Sequence, residues 1–578
     1  MADKSKEYLI VAAIDFGTAY SGYAFSTRSD FLKDPLKIVT NTWQGDTLLS
    51  HKTVTCVLFD EDKKFKAFGF DAENQYADLA IDKKHTKYFF FTRFKMRLFN
   101  QTQLQRNFLL EDEMGKKMPA IDVFSACIRY LREHLMEHSR KQVSHIADTD
   151  FRWVLTVPAI WNDTSKQFMR EAAEKAGFES DQLLIALEPE AASLCCRHLP
   201  MTTIKGCSGG FVPFAPKSKY LVLDAGGGTI DITIHQVQDN GSIKELYAAN
   251  GGDWGGTYID KAFRDLLSDI VESTLMDDFQ HAKMDDYIGL FREFEVKKRK
   301  FKKDMAEKIT FKVPIALDET FEHKNKKSIK DHIATKPQYN GNIIWTVDKL
   351  RIGADIARNL YTKALDKISH HLKSLFTVDL VKDVSTILLV GGFSESEMLQ
   401  CMIREQFPDK KLIIPAEPGL AVLKGAVIFG HDPQVIKERR CRHTYGVGTT
   451  VIFDDSIHPV SKKFTANGTD RCKDIFSKHV EIGQPVLVEE NQIELTYTPV
   501  YDDQTKMTFG VYISPERDPM YVDGPSCKRL GSLEIDIEGT GLNRSVTVQM
   551  TFSDTELHVA GTNNNTGKKT LAKFDFLG

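Results

Sequence analysis

Two apolar runs, each cut short by an aspartate and a glycine turn, organise the first half of this chain. The first runs from Tyr8 to Ile14 and is followed by Asp15, Gly17, Thr18 and a second apolar segment, in YLIVAAIDFGTAYSGYAF. The other runs from Tyr220 to Leu223 and is followed by Asp224, three glycines, Thr229 and Asp231, in YLVLDAGGGTIDITIHQV. Each predicts a β-hairpin whose tight turn carries an acid, glycine and a threonine. A repeat of this kind, so widely separated, predicts two related lobes facing a cleft.

Helical periodicity lies around and between these hairpins, in VFSACIRYLREHL from Val123 and SKQFMREAAEKAG from Ser165. A third strand follows in VSTILLVGGFSESEMLQCMI, where Gly391 and Gly392 separate it from a helix. Strands interleaved with helices predict an α/β domain over residues 1–436. The basic segment KERRCRH, Lys437 to His443, reads as a linker. From 444 to 578 short alternating runs separated by Gly, Asn and Asp predict a small antiparallel β domain, a sandwich or a barrel.

Length agrees with more than one core, since 578 residues exceed what a single hydrophobic interior holds. Charge narrows the partners: 76 basic against 80 acidic residues, net −4, leave no electrostatic footprint for nucleic acid. The apolar run ending at Asp15 is too short to span a bilayer, and no cleavage site of a signal peptide follows it. Nine scattered cysteines without a CxxC pair suggest neither a disulfide framework nor a zinc site. Seventeen histidines without an HExxH pattern suggest no catalytic metal of that kind. A reduced, cytoplasmic protein without membrane insertion is the expectation, with nuclear entry left open. Cys195 and Cys196 read as buried small residues, and the aromatic run YFFFTRF at 88–94 as core packing around Lys95.

Backbone N–H groups hold phosphates well, and glycine lets the backbone come close enough to do so. Asp-x-Gly-Thr at 15–18 and Asp-x-Gly-Gly-Gly-Thr at 224–229 both meet that need. Their acids suit magnesium, which keeps most of its waters and takes few protein carboxylates. The hydroxyls of Thr18 and Thr229 can meet phosphate oxygens.

With these motifs in view, the chain resembles the 70-kDa heat-shock chaperones of the actin-like ATPase superfamily, and most closely their divergent type-12 branch. The resemblance covers nearly the whole chain. It rests on IDFGTAYSG at 14–22, TVPAIWND at 156–163, ALEPEAA at 186–192, LDAGGGTIDI at 223–232, GGDWGGTYID at 251–260, LLVGGFSES at 388–396 and PAEPGLAVLKGA at 415–426. It implies an actin-like α/β fold that binds ATP or ADP with magnesium. Asp15, Asp224 and Asp231 would surround the metal and its waters. Gly17, Thr18, Ala19 and Tyr20 would line the phosphates opposite Gly226, Gly227, Gly228 and Thr229, and Gly255 and Gly256 would join that set. Lys95 would be the catalytic lysine, and Glu188 would help place the attacking water, with Asp224 and Thr229 beside them. Glu295, Lys298 and Arg299 match the segment that touches ribose and base, and Gly391, Gly392 and Phe393 the turn under the base.

Three segments depart from the family pattern. Where the chaperones carry Ser-Thr-Arg after the second glycine turn, and stack the Arg on adenine, this chain has Phe393, Ser394 and Glu395. Phe393 or Arg299 would be the substitute stacking partner. Lys166 stands where an Arg follows the TVPA motif, and a point charge cannot copy a bidentate fork. The acidic-leucine linker of the chaperones is replaced by KERRCRH. The β-rich part is similar to their sandwich at 552–570 only, so it reads as a docking site for a protein client or partner. The leading functional reading is a chaperone-like switch with slow ATP hydrolysis. The alternatives are a non-hydrolysing nucleotide sensor or scaffold, a small-molecule kinase of the same superfamily, and a filament-forming actin relative.

Overall fold

The computed structural model describes residues 7–577 apart from 46–48, 100–103, 144, 201–203, 206–213, 340, 489, 491, 554–555 and 575–576. Two compact units divide the chain. One comprises residues up to Phe214, Lys219–Thr233 and Ala249–Asp432; the other comprises Ala215–Ser218, Ile234–Ala248 and the residues from Pro433 onward.

The first unit is mixed α/β. The strand Ile10–Phe16 folds back on Tyr20–Thr27, from Ile10 opposite Thr27 to Phe16 opposite Ser21. On its other side it runs parallel to Phe151–Val157, which in turn runs parallel to Leu183–Leu187. The same order recurs further on. The strand Lys219–Ala225 neighbours Ile230–Val237, runs parallel to Thr386–Val390, and that strand runs parallel to Lys411–Pro415. Strands buried on both faces read as continuous apolar runs, and every residue of Ile10–Phe16 and Phe151–Val157 is buried.

Helices follow the periodicity. The segment read from Val123 lies in the helix Ala120–Gln142, whose Val123, Phe124, Cys127, Ile128, Leu131 and Leu135 form one buried stripe. The segment read from Ser165 lies in Asp163–Lys175, opened by the Asn162 side chain, which accepts from the Ser165 amide. Phe89, Phe90 and Phe91 form the buried strand Phe89–Thr92. Phe94 beyond it packs edge-on to Phe124, with ring centroids 5.0 Å apart. Cys195 and Cys196 are buried in the helix Glu188–His198. Among the described residues no helix is long and apolar enough to cross a membrane.

The second unit is dominated by strands that pair antiparallel. Thr444–Ile452 pairs with Thr469–Val480 and Lys506–Ser514, and Lys506–Ser514 pairs with Lys528–Asp536. A separate sheet pairs Val546–Ser553 with Leu495–Tyr497 and Glu556–Asn563. Val447, Val511, Leu533, Val546, Val548 and Met550 pack as one core between them. The basic segment expected as a linker is regular structure for most of its length: Ile436–Arg440 is a strand, parallel to Ile243–Gly252 and antiparallel to Pro485–Leu487. Backbone pairing on both sides holds it as a strand. The Glu245 carboxylate accepts the Arg440 backbone N–H at 2.9 Å, and Ile436 is buried beneath the charged residues.

Candidate functional site

Both glycine turns, with the side chains around them, line one cavity of about 590 Å³ in the first unit. That is a size usual for small-molecule sites, roughly 300–1,000 Å³. The turns are built differently. In the first, a Cβ on Gly17 would stand 2.3 Å from the Tyr20 carbonyl oxygen, so only glycine closes it. In the second, the Gly226 amide donates to the Thr229 carbonyl at 3.0 Å. There a Cβ on Gly228 would lie 2.4 Å from both Met96 Sδ and Thr18 Oγ1. The backbone at Gly228 is therefore as close to the opposite turn as packing permits.

Gly255 does not line the cavity. It backs the second turn, its amide donating to the Gly228 carbonyl at 3.2 Å, while Gly256 lines the cavity and donates to Gly226 at 3.0 Å.

Lys95 sits on a short turn, Phe94–Leu98, entered through Arg93 at φ 50°. Phe94 and Leu98 anchor that turn in the core, which aims Lys95 inward. The Lys95 ammonium is buried, donates to Glu188 Oε1 at 2.7 Å and lies 5.2 Å from the Trp161 ring centroid. Glu188 opens the helix Glu188–His198, with Pro189 fixing its first turn. Burial lifts the Glu188 carboxyl to about 7, Lys95 pulls it down, and the Asp15 and Asp231 charges push it up again.

Asp15 and Asp224 occupy equivalent places and titrate in opposite directions. Burial would raise Asp15, yet Lys52 and Lys95 hold it below the usual carboxylate range, helped by hydrogen bonds from Lys52 and Thr156. Those bonds are 2.5 Å from Lys52 Nζ and 2.7 Å from Thr156 Oγ1. Asp224 is pushed well up by burial and then by the Glu188, Asp231 and Asp15 charges. Asp231 is buried outside the cavity lining, where its Oδ1 accepts the Ile160 amide at 2.9 Å.

Of Asp15, Asp224 and Asp231, expected around magnesium and its waters, the first two line the cavity and Asp231 is buried outside its lining. Among the described residues no group of three His, Cys, Asp or Glu side chains stands close enough to hold a metal. The donors that remain, two carboxylates and the hydroxyls of Thr18 and Thr229, suit a hydrated magnesium reached through its waters.

At the far end, Glu295, Lys298, Arg299, Gly391, Gly392 and Phe393 all line the cavity. Glu295 gathers them: it accepts from Arg299 at 2.7 and 2.9 Å and from the Tyr20 hydroxyl at 3.3 Å, and pairs with Lys298 at 2.6 Å. Arg299 lies over the Tyr20 ring at 5.3 Å. Phe393 stacks loosely on Tyr361, with centroids 6.5 Å apart. Lys166 stands apart from this cavity, buried and 3.6 Å from Asp163. Sequence reasoning missed Lys52 and Tyr361, which also line the cavity, as does Glu395 of the segment that departs from the family pattern. Lys52 carried no signal, because it sits in the unremarkable run LSHKTVT with no glycine or acid spacing around it.

A family model described as Hsp70 protein matches residues 91–433. Heat shock 70 kDa protein 12A of Mus musculus is 33% identical over 639 aligned residues, covering 99% of this chain and 92% of that protein. Heat shock 70 kDa protein 12B of Homo sapiens is 31% identical over 640, covering 100% and 92%. The chain belongs to the Hsp70 family. Its similarity to the 12A and 12B proteins over almost the full length places it in the divergent type-12 branch of that family. Chaperone protein DnaK of Endomicrobium trichonymphae matches a shorter stretch, 30% identical over 150 residues or 26% of this chain. Membership of the Hsp70 family carries the actin-like ATPase fold class and nucleotide binding.

Proposed function

We propose that this protein is a nucleotide-driven, chaperone-like switch that binds ATP or ADP with magnesium in the cavity of its first unit and hydrolyses ATP slowly. The observation that carries this reading is the Lys95–Glu188 pair, 2.7 Å apart, buried beside both glycine turns. Phosphoryl transfer asks for positioning and charge neutralisation more than for covalent chemistry. When bound, magnesium would neutralise phosphate charge, and Asp15, Asp224 and the hydroxyls of Thr18 and Thr229 would hold it through its waters.

The chain's own groups supply the rest. Gly227 and Gly228, which line the cavity, would offer backbone N–H groups to the phosphates, while the Gly226 amide closes the turn on Thr229. Lys95 carries positive charge to the transferred group and orients Glu188. A carboxyl held at about 7 is half ionised near neutral pH, which suits it to accept a proton from an attacking water. The duplicated strand order supports two related lobes around the cavity, with nucleotide chemistry in residues 1–436. The antiparallel strands of 444–578 are the part proposed to dock a protein client or partner, in a reduced cytoplasmic setting.

Phosphate release from Mg-ATP under single-turnover conditions tests the reading. The wild-type protein is expected to release phosphate, and Lys95→Ala to lose about 10²-fold or more of that rate. No release from either protein would move the reading to a non-hydrolysing sensor or scaffold. Phe393-Ser394-Glu395 favours that second reading, because it replaces the adenine-stacking Arg with an acid.

A further inference from the structure

Among the described residues, Lys52 is the one lysine lining the cavity for which neither the motifs nor the proposed hydrolysis has a use. Its placement is built rather than incidental. The strand Thr53–Val54 pairs with Tyr20–Thr27, with Thr53 opposite Ser21 and Val54 opposite Tyr20. Thr55 then fastens this strand to the first glycine turn: its amide donates to the Ala19 carbonyl at 2.8 Å and its hydroxyl to the Gly17 carbonyl at 2.8 Å. Lys52, immediately before the strand, is thereby held over the turn.

Gly22 completes the arrangement. A Cβ there would meet Lys52 Cγ at 3.0 Å, so the lysine stem lies flat on a position that has no side chain. The ammonium ends 2.5 Å from Asp15 Oδ2, and the side chain is 16% exposed. Lys95 acts on the same carboxylate. Two lysines thus converge where one acid of the first turn and one acid of the helix Glu188–His198 stand. Lys95 is committed to Glu188, whereas Lys52 is held by Asp15 and opens on the cavity.

We propose that Lys52 is a specificity-determining residue for the terminal phosphate: it leaves Asp15 for the outermost phosphate of a bound nucleoside triphosphate, and so lets the protein tell triphosphate from diphosphate. The proposal rests on the reading of this cavity as a nucleotide site. A diphosphate offers no oxygen at that position and leaves the Lys52–Asp15 pair in place. A triphosphate brings more negative charge, and a charge-assisted bond to phosphate oxygen replaces the one to carboxylate. Lys52 also differs in kind from Lys95: it acts on binding of the terminal phosphate, not on its transfer.

Calorimetric titration of Mg-ATP and Mg-ADP into wild type, Lys52→Ala and Lys52→Arg separates the alternatives. Lys52→Ala is expected to raise the Kd for Mg-ATP by about tenfold or more while moving that for Mg-ADP less than about twofold. Lys52→Arg, which keeps the charge, is expected to recover most of the loss. Equal weakening of both nucleotides would make Lys52 a structural residue of the turn and overturn the proposal, as would no change in either. If wild type binds neither nucleotide, the nucleotide reading itself falls, and the proposal with it.

A second measurement on wild type needs no variant. A nucleotide carrying an acyl group on its terminal phosphate acylates the nearest lysine amine, forming an amide and releasing the nucleotide. Peptide mass spectrometry is expected to find the label on Lys52 as well as Lys95. Label on Lys95 alone would overturn the assignment.

Discussion

The two glycine turns are near-copies in sequence and opposites in electrostatics. Asp15 has a lysine at 2.5 Å and a threonine hydroxyl at 2.7 Å, and it stays ionised. Asp224 is buried beside three other carboxylates, pushed toward its neutral form, and its Oδ1 stands 2.3 Å from where a Cβ on Gly391 would lie. A duplicated motif thus sets where backbone and acid go, while partners from distant segments set the charge each acid carries. The first turn is complete as it stands. The second carries surplus negative charge, which a bound cation would relieve.

The sharpest way to break the comparison is steric. Gly17→Ala drives a Cβ into the Tyr20 carbonyl at 2.3 Å, against rigid backbone. It is expected to abolish nucleotide binding and to lower stability by about 3 kcal/mol or more, read by calorimetry and denaturant unfolding. Gly226→Ala meets only the Thr229 carbonyl at 3.2 Å. Its stability loss is expected to stay under about 1 kcal/mol.

Next in size is the contrast between the acids. Asp15→Asn strands the Lys52 ammonium in a mostly buried place, and is expected to destabilise the nucleotide-free protein by about 2–3 kcal/mol. Asp224→Asn removes a carboxyl whose ionisation burial and its neighbours oppose, and is expected to raise stability by about 1 kcal/mol. Unfolding midpoints of the two variants should move in opposite directions; movement the same way would show that the turns share one electrostatic environment.

The smallest effect is on pH. Glu188 holds its proton up to about 7 when folded, against an ordinary 4.5. Between those values the folded state binds more protons than the unfolded one, so this group's contribution to stability grows as pH falls through that window. Nucleotide-free wild type is expected to gain on the order of 1 kcal/mol relative to Glu188→Gln on going from pH 8 to pH 5.5. Equal pH profiles for the two proteins would place the uncompensated charge on another group.

Much of this was legible in the chain itself. Apolar runs ending in Asp-x-Gly located both hairpins, because a strand buried on both faces has to be apolar and a turn closed on its own carbonyl has to be glycine. Helical periodicity located Ala120–Gln142 and Asp163–Lys175, and alternation located the strands after Thr444, since both periods are consequences of backbone geometry alone. Three features carry no local signal. KERRCRH looked like a linker because the strands that pair with it, Ile243–Gly252 and Pro485–Leu487, lie far from it in sequence. The spacing around Asp231 does not reveal that its Oδ1 accepts the Ile160 amide, because that partner lies 71 residues away. Lys52 looked like nothing, because a lysine acquires meaning only from the carboxylate it meets, and Asp15 is 37 residues away. The sequence by itself determined where the chain turns and which face of each element is buried. Only the tertiary structure decided which acids are paired and which are charged, because Coulomb energy and desolvation depend on distances between segments that the order of residues does not contain.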